Sequence, residues 1–388
     1  MGTESTPLIP LPAVRGTPPS RGYPFARTDR RVDRNDRLDL GGLSDLVTLA
    51  PTAPPMPSFP AIPGFDEPSV ITVRAAQERL WGHLHRTPVH RSRTFDSLVG
   101  ADVFLKCENF QRSGSFKARG AFNAVLSLDD HTAARGVAAH SSGNHGAALA
   151  LAARERGIKA TIVVPTTCAK AKLEAITRYG GELVFAEPTI QAREIAVAAI
   201  VARSGAVLVH PYDHPAVISG QATAALELLQ DQPDLDVLLA PISGGGLLSG
   251  TLLAVEATGR PVRVFGVEPS EADDAARSLA SGRLEQNATT ATIADGLRGA
   301  LSARTFELIR PRAAGIVTVS EAEIVHAMRL AWDIYKLIIE PSCAVPIAAL
   351  LSGKAPALAG RKVGVIITGG NVDLGSLPWA SPARAAQG

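Results

Sequence analysis

Hydrophobic and polar positions follow a regular pattern along the chain from about residue 69 onwards. Short β-branched runs are each followed by an alanine-rich stretch with helical spacing, and clear pairs are GVAAHSS with HGAALALAARERG and ATIVVP with AKAKLEAITRYG. Strands that alternate with helices in this way are typical of parallel sheets covered by helices on both faces. The pattern predicts an α/β protein. Beyond this alternation the sequence shows no repeat of the kind that indicates a solenoid.

The first 65 residues do not share this pattern. Thirteen of the 28 prolines lie within residues 1–68, and the stretch RTDRRVDRNDRLD has almost no apolar content. Such a segment buries too little surface to offset the entropy of ordering its backbone, so we predict that residues 1–65 are disordered. An alternative is that Met56 is the true start. A secretory signal is not indicated, because no apolar stretch follows a basic start.

Composition and charge narrow the class of function. With 388 residues, 46% of them hydrophobic, the chain is long enough for a large core in two lobes. Its net charge of +2 provides no general attraction for nucleic acid or an anionic membrane. No apolar run approaches the roughly 18–20 residues of a membrane span. Three widely spaced cysteines without zinc spacing favour a cytoplasmic location.

Three loops of small residues follow predicted strands. They are SSGNHG (residues 141–146), SGGGLLSG (residues 243–250) and TGGN (residues 368–371). Ligands of open α/β sheets bind at the carboxyl ends of the strands, and backbone N–H groups at a helix start attract anions such as phosphate. Each loop alone is also typical of a tight turn, so the set of loops carries more weight than any single one.

Lys117 lies in the stretch SGSFKARG, where its neighbours are small and apolar. Burying an ammonium group costs free energy, so this lysine either reaches solvent or is buried because its nitrogen takes part in chemistry. A dinucleotide site is a poor alternative, because Gly245 and Gly250 bracket the wrong interval for its fingerprint. A lysine, a phosphate loop and a polar group for a ring nitrogen together predict a pyridoxal phosphate site.

In this order, SGSFKARGA, SSGNHG, GGGL and TGGN resemble the motifs of the serine/threonine dehydratase and serine racemase branch of the fold-type II (tryptophan synthase β-like) enzymes. The resemblance covers roughly residues 70–378. It implies a two-domain α/β fold with parallel sheets flanked by helices and the active site between the domains. Residues 66–135 and 213–380 form the large cofactor-binding domain, residues 136–212 the small domain, and residues 381–388 a tail. A small amino-acid substrate and a homodimer or homotetramer are implied as well.

The resemblance also implies a role for each motif. Lys117 holds the cofactor covalently and then takes the substrate α-proton, for which its pKa must fall from about 10.4 towards neutrality. Asn144 bonds the cofactor's ring hydroxyl oxygen, the glycine loop holds the phosphate, and Ser141 and His145 bind the substrate carboxylate. The cofactor-binding residues implied are Phe116, Lys117, Asn144, Ser243, Gly244, Gly245, Gly246, Leu247 and Thr368.

Thr368 and Ser142 bear on the reaction type. The resemblance places Thr368 opposite the pyridine nitrogen of the cofactor, at a position where the family more often has serine. A neutral hydroxyl leaves that nitrogen mostly unprotonated, which favours expulsion of a β-leaving group. Ser142 is placed on the opposite face of the substrate from Lys117, and the resemblance makes it a second catalytic residue for racemisation or for D-serine. It is equally typical of a helix cap.

The segment VEPSEADD (residues 267–274) suggests a cation site. The carboxylates of Glu268 and Asp274 and the carbonyl of Ala272 form an oxygen set suited to Mg²⁺ or Ca²⁺, as in the metal-activated members of the resembling family. The alternative is that these acids only complement the dipole of the helix that follows.

The sequence therefore predicts a pyridoxal-phosphate-dependent ammonia-lyase that converts L-threonine or L-serine into a 2-keto acid and ammonia. Serine racemase and threo-3-hydroxyaspartate ammonia-lyase are the alternatives, and Arg193 is a candidate for binding a second carboxylate. A β-replacement synthase is disfavoured because His145-Gly146 ends the SSGNHG loop where such synthases have Thr-Gly. A non-catalytic protein on this fold is disfavoured because Lys117 is present.

Overall fold

The β-branched runs of the sequence form two sheets of mainly parallel strands. The computed structural model describes residues 65–141, 143–355 and 358–379. The strands in these ranges are β1 (Val89–His90), β2 (Asp102–Cys107), β3 (Val137–His140), β4 (Ala160–Pro165), β5 (Glu182–Ala186), β6 (Val207–Leu208), β7 (Val237–Pro241), β8 (Arg263–Pro269), β9 (Gly315–Val319) and β10 (Lys362–Ile367).

The alanine-rich stretches form the helices that connect these strands. The helices of the described ranges are α1 (Val70–Leu80), α2 (Arg93–Val99), α3 (Lys117–Leu126), α4 (Asp130–Ala133), α5 (Asn144–Arg156), α6 (Lys170–Arg178), α7 (Ile190–Ser204), α8 (Pro215–Asp231), α9 (Gly246–Thr258), α10 (Asp274–Ser281), α11 (Ala303–Ile309), α12 (Glu321–Tyr335) and α13 (Pro341–Leu351).

The larger sheet has the strand order β1-β2-β10-β7-β8-β9, and the smaller has the order β5-β4-β3-β6. Only the short β1 runs antiparallel to its neighbour within these two sheets. Strand β10 comes last in the sequence and yet lies between β2 and β7. A parallel neighbour requires a crossover connection, so helices lie over both faces and the central strands are largely buried. All five residues of β7 are buried.

Helix packing closes the core on both sides of the larger sheet. One cluster includes residues of α12 and α13, and a second includes residues of α8 and α9. Helices α8 and α9 approach closely at Gly250, where a Cβ atom would lie 2.7 Å from the carbonyl oxygen of Ile218. A third cluster joins α3 and α5 to the smaller sheet. These contacts place α3, which begins at Lys117, against both α5 and α8.

A buried ionic network anchors α3. The Arg119 guanidinium donates to both carboxylate oxygens of Glu108, each at 2.7 Å, and to Glu227 at 2.8 and 2.9 Å. Lys106 donates to Glu227 at 2.7 Å. Charges removed from water are tolerated only when they are paired and fully hydrogen-bonded, and here each cation has a carboxylate partner. Removal of one partner therefore leaves a buried charge uncompensated.

The predicted class, parallel sheets flanked by helices in an α/β protein, is confirmed. One element is shorter than the sequence pattern AVLVHP indicates, because β6 ends at Leu208. The backbone N–H of Val209 still bonds to the smaller sheet, but Pro211 has no N–H to continue the ladder.

The remaining predictions on chain organisation stay open. The described residues belong to one compact unit of the chain, so the division into a large and a small domain stays a prediction. Most of the predicted N-terminal tail and all of the C-terminal tail lie outside the described residues. No helix in the described part of the chain has the length and apolar content to cross a bilayer.

Candidate active site

The three small-residue loops meet at one cavity of about 510 Å³. Each loop follows a parallel strand, the first after β3, the second after β7 and the third after β10. The carboxyl ends of these strands therefore point to the same place, and residues from both sheets line the cavity. Lys117, Asn144, Ser243 and Thr368 all line this cavity, so the structure brings the three loops and Lys117 together, and their roles stay predictions.

Lys117 is the first residue of α3, and its amine is buried at the cavity wall. Its Nζ donates to the carbonyl oxygen of Pro211 at 2.9 Å and lies 5.1 Å from the centre of the Phe116 ring. Burial lowers the pKa of the Lys117 amine to about 8, because removal from water penalises the charged form. The carboxylate of Glu340 opposes this shift. The side chain is half-buried and lines the cavity, and its nitrogen is suited to accept a proton near neutral pH.

A strained turn brings Lys117 to the end of β10. Ser113 and Gly114 have φ angles of 60° and 77°, in the left-handed region that disfavours most side chains. After this turn the backbone N–H of Phe116 donates to the carbonyl oxygen of Thr368 at 2.9 Å, and Ser115 forms a β-bridge with Gly369. The first and last motifs of the sequence are thus adjacent in the structure.

Asn144 lies at the start of α5 and is held by two polar side chains. Its Nδ2 donates to the carboxylate oxygens of Glu340 at 2.9 and 3.1 Å, and its Oδ1 accepts from Nδ2 of Asn371 at 2.9 Å. Glu340 is buried, and this burial raises the pKa of its carboxyl to about 7. The Asn144 amide is thus fixed from both sides.

The glycine loop presents bare backbone at the start of α9. A Cβ atom on Gly244 would lie 2.4 Å from the Tyr212 ring, and one on Gly245 would lie 2.7 Å from Thr305. Gly245 also has a φ of 85°. Ser243 closes the loop, since its hydroxyl accepts from the N–H of Gly299 at 3.0 Å. Exposed N–H groups at a helix N-terminus suit an anionic group such as phosphate.

His145 lies at the start of α5 and is buried and neutral. Its Nε2 lies 2.8 Å from the carbonyl oxygen of Val209, which can only accept, so Nε2 carries the proton. Burial lowers the pKa of His145 to about 3. Its Nδ1 then carries no proton and can only accept a hydrogen bond, so it cannot donate one to a carboxylate. The predicted binding of the substrate carboxylate by His145 stays a prediction, and the backbone N–H groups of this helix start suit it better. Ser141 also lines the cavity.

Ser142 lies outside the described residues, so its predicted role on the second face of the substrate stays a prediction. Thr368 is described and is 4% exposed, and its Oγ1 lies 3.0 Å from Sγ of Cys343. This hydroxyl is a neutral group at the cavity wall, as the sequence predicted.

Several cationic side chains line the cavity, and they differ in their partners. Lys172 forms an ion pair with Asp295, and Arg298 donates to the carbonyl oxygen of Thr292 at 2.8 Å. Arg193 donates through Nε to the carbonyl oxygen of Thr189 at 3.2 Å. No ion pair of Arg193 with a carboxylate occurs within the part of the chain that the structure describes. Its guanidinium is therefore suited to an anionic ligand group.

The predicted cation site shows the geometry of a helix cap. Glu268 accepts from the backbone N–H of Ala276 at 2.7 Å, and Asp274 accepts from Nδ2 of Asn287 at 2.7 Å. Both carboxyls are buried, which raises their pKa values, that of Glu268 to about 8. Among the described residues no group of three or more His, Cys, Asp or Glu side chains is arranged to hold a metal ion. The set of two carboxylates and the Ala272 carbonyl stays a prediction.

Sequence reasoning missed several residues of the cavity wall. Glu340, Asp295 and Tyr212 line the cavity, and Cys343 contacts Thr368, but no motif of the sequence marks any of the four. Asn371 ends the TGGN motif, and its position there was the one signal that could have identified it. The others become visible only when distant segments are brought together.

The comparisons with known proteins identify the family. The profile described as "Pyridoxal-phosphate dependent enzyme" matches residues 80–369. The chain belongs to this family. Beta-hydroxyaspartate dehydratase of Paracoccus denitrificans (strain Pd 1222) is 46% identical to this pyridoxal-phosphate enzyme over 312 residues, 80% of this chain and 99% of that relative. Serine racemase of Arabidopsis thaliana is 45% identical over 316 residues, 80% of this chain and 95% of the relative.

A solved structure gives the same result for the fold. Maize serine racemase matches this pyridoxal-phosphate enzyme with a TM-score of 0.78 at 42% identity, over 80% of this chain and 95% of that one. The predicted family, fold-type II with its ammonia-lyases and racemases, and the predicted cofactor, pyridoxal phosphate, are confirmed.

The cavity of this enzyme fits pyridoxal phosphate in its donor groups. The amine of Lys117 suits the aldehyde, the bare N–H groups at the start of α9 suit the phosphate, and the amide of Asn144 suits the ring hydroxyl oxygen. The hydroxyl of Thr368 suits the ring nitrogen. The cavity volume of about 510 Å³ lies within the range of small-molecule sites.

Proposed function

We propose that the protein is an ammonia-lyase that converts an L-β-hydroxy amino acid into a 2-keto acid and ammonia. The observation that carries the proposal is the buried amine of Lys117, which projects into a cavity whose donors suit pyridoxal phosphate. Bound pyridoxal phosphate supplies an electron sink for negative charge at the substrate α-carbon.

The chain itself supplies the base. Lys117 Nζ takes the proton of the substrate α-carbon, and its pKa of about 8 leaves a useful fraction of the amine neutral at physiological pH. The Cβ–O bond then breaks with its electron pair on oxygen, and the proton that Lys117 Nζ took from the α-carbon passes to this oxygen, which leaves as water. The released enamine hydrolyses to the keto acid and ammonia. The neutral hydroxyl of Thr368, in place of a carboxylate, favours this loss of the β-group.

The start of α5 supports binding of the substrate α-carboxylate. Ser141 and Gly143 line the cavity immediately before this helix. Backbone N–H groups and the positive end of the helix dipole favour an anion at this position. His145 is neutral because it is buried, and its bond to the carbonyl oxygen of Val209 ties the start of this helix to the segment after β6.

Among the three β-hydroxy amino acids predicted as substrates, Arg193 favours 3-hydroxyaspartate. This arginine lines the cavity and has no carboxylate partner within the described part of the chain. Serine and threonine bring a single carboxylate, whereas 3-hydroxyaspartate brings a second one. Hydrogen bonds between charged groups are about twice as strong as hydrogen bonds between neutral groups. The relative from Paracoccus denitrificans is named beta-hydroxyaspartate dehydratase, which supports the same choice.

Initial rates of keto-acid release from L-serine, L-threonine and L-threo-3-hydroxyaspartate test this proposal. We expect the highest kcat/KM for 3-hydroxyaspartate, and a loss of roughly 10- to 100-fold for that substrate alone in Arg193→Gln. Lys172→Gln is the matched control, because Lys172 is already paired with Asp295 and its loss acts on all three substrates alike. An equal loss for serine and 3-hydroxyaspartate in Arg193→Gln would make Arg193 a general structural residue.

Racemisation of serine is the second candidate activity, supported by the serine racemase from Arabidopsis thaliana at 45% identity. In this case Ser142 exchanges the α-proton on the face opposite Lys117. Ser142→Ala should then leave release of keto acid from L-substrates largely intact and remove racemisation. Equal damage to both activities would assign Ser142 to substrate binding instead.

A further inference from the structure

We propose that Asn371 and Glu340 are positioning residues that determine which atom of the Asn144 amide faces the cofactor ring. The inference rests on the proposed function, in which Asn144 bonds the ring hydroxyl oxygen of pyridoxal phosphate. A side-chain amide has a donor end and an acceptor end of almost the same shape, so its neighbours decide its orientation.

The orientation is set first at Asn371. Its Nδ2 donates to the carbonyl oxygen of Ser113 at 2.8 Å and to Oδ1 of Asn144 at 2.9 Å. A backbone carbonyl only accepts, so Nδ2 of Asn371 has to face Ser113. The contact is close, because a Cβ atom on Gly114 would lie 2.2 Å from Oδ1 of Asn371. Only a glycine, in its left-handed conformation here, leaves room for this side chain.

The orientation then passes to Asn144. Since its Oδ1 accepts from Asn371, its Nδ2 faces Glu340, whose carboxylate oxygens accept at 2.9 and 3.1 Å. The two acceptor oxygens belong to one carboxylate and lie in nearly the same direction from Nδ2, whereas the two N–H bonds of an amide diverge widely, so one hydrogen atom serves both oxygens. The second hydrogen atom of Nδ2 then has no acceptor in the described part of the protein. Asn144 lines the cavity, so this hydrogen is the one available to a ligand oxygen. A reversed amide would present its own oxygen there and repel the ring oxygen.

We call the chain of hydrogen bonds from Ser113 through Asn371 and Asn144 to Glu340 the relay. The substitution Asn371→Asp tests the relay with little change of side-chain shape. An aspartate accepts only, so it loses both donated bonds and draws Nδ2 of Asn144 towards itself. The apoprotein is titrated with pyridoxine 5′-phosphate, which has the ring hydroxyl and the phosphate but no aldehyde to bond to Lys117. We expect a loss of affinity of roughly 10-fold or more. The matched probe is the 3-deoxy analogue, which lacks the ring hydroxyl and should bind wild type and variant alike. An equal loss for both probes would overturn the relay.

A double-mutant cycle with Glu340→Gln separates the relay from general packing. In the wild-type background the introduced glutamine can accept from Nδ2 of Asn144, so the amide keeps its orientation, but the charged acceptor is lost and pyridoxine 5′-phosphate should bind with a measurable loss of its own. In the Asn371→Asp background the same glutamine donates to the reversed amide and stabilises it. The double variant should therefore lose more affinity than the two single losses combined. Additive losses, or recovery of affinity, would overturn the proposal.

Two further measurements keep the test decisive. If Asn371→Asp does not fold, Asn371→Ala removes the constraint without imposing the reverse one, and should give a smaller loss that is again confined to the hydroxyl-bearing probe. Borohydride reduction of protein loaded with pyridoxal phosphate, followed by peptide mapping, should label Lys117 in every variant. A label on another lysine contradicts the proposed function, whereas a label on Lys117 without any difference between the probes contradicts only the relay.

Discussion

At the scale of single residues, the site is built from polar groups removed from water. Burial lowers the pKa of the Lys117 amine and raises that of the Glu340 carboxyl, so both groups titrate near neutral pH. His145 stays neutral for the same reason. Shifted pKa values in one cleft are typical of catalytic sites. The chemistry thus depends on how each side chain is enclosed as much as on its type.

The pKa of Lys117 predicts the pH dependence of the reaction. The base has to be unprotonated, and its amine is free only after substrate has displaced it from the cofactor, so kcat should rise with pH through about 8. Glu340 favours the ammonium form of Lys117, so Glu340→Gln should move the midpoint of the rise to lower pH. Rates of keto-acid release between about pH 6 and 10 measure both. A flat profile, or a midpoint that moves upward, would show that Lys117 is not the titrating base.

At the scale of elements, the site is formed by the starts of three helices. Helix α3 begins at Lys117, α5 at Asn144 and α9 at Gly246, and each start faces the cavity. Two of these helices follow directly from the carboxyl ends of parallel strands. Their positive dipole ends therefore converge where the carboxylate and phosphate of the ligands are expected.

The two ends of α9 allow a matched test of the glycine loop. Gly245 and Gly259 both have positive φ angles, of 85° and 65°, but only Gly245 has close neighbours where a Cβ would lie. Gly259→Ala should cost about 1–2 kcal/mol of backbone strain and leave cofactor affinity unchanged. Gly245→Ala should cost more and weaken binding of pyridoxal phosphate. Thermal unfolding and cofactor titration measure the two effects, and equal behaviour of the two variants would contradict this role of the loop.

The start of α10 is where the predicted cation site can be tested. Binding of Mg²⁺ or Ca²⁺ to the native state alone raises the melting temperature by mass action, and a chelator lowers it. Asp274→Asn should abolish this response. Glu271→Gln is the control, because Glu271 belongs to the same segment but is exposed. If the wild type is indifferent to both ions and to chelator, Glu268 serves only to cap α10, and Asp274 only to bond Asn287 and Leu301.

At the scale of the whole molecule, the sequence pattern predicted the two parallel sheets and the meeting of three loops with Lys117. Strand periodicity and glycine loops are local signals, so they can be recognised without a structure. The contacts of Glu340, Tyr212 and Cys343 are not local, because each depends on how distant segments pack. Strand β6 is shorter than its apolar run AVLVHP for a local reason, because Pro211 has no N–H to extend the ladder.

The N-terminal segment gives a prediction for the whole chain. Residues 1–65 are rich in proline and charge, and none of the four motifs lies there. A protein that starts at Met56 should therefore keep full turnover and the same melting temperature as the full chain. Keto-acid release at matched protein concentration measures the first, and light scattering shows whether either form is a homodimer or a homotetramer. A large loss of activity on truncation would show that the segment contributes to the folded enzyme.

The position of β10 has a consequence for biosynthesis. This strand lies between β2 and β7, and the TGGN loop that completes the cavity follows it, so the larger sheet cannot close until residue 371 has left the ribosome. Strand β2 therefore keeps an unpaired edge from its own synthesis until β10 has been made, and β7 does the same. Unpaired strand edges of this kind promote aggregation. The cofactor pocket is assembled only at the end of synthesis, and a chain truncated before β10 would be a target for quality control rather than a partly active enzyme.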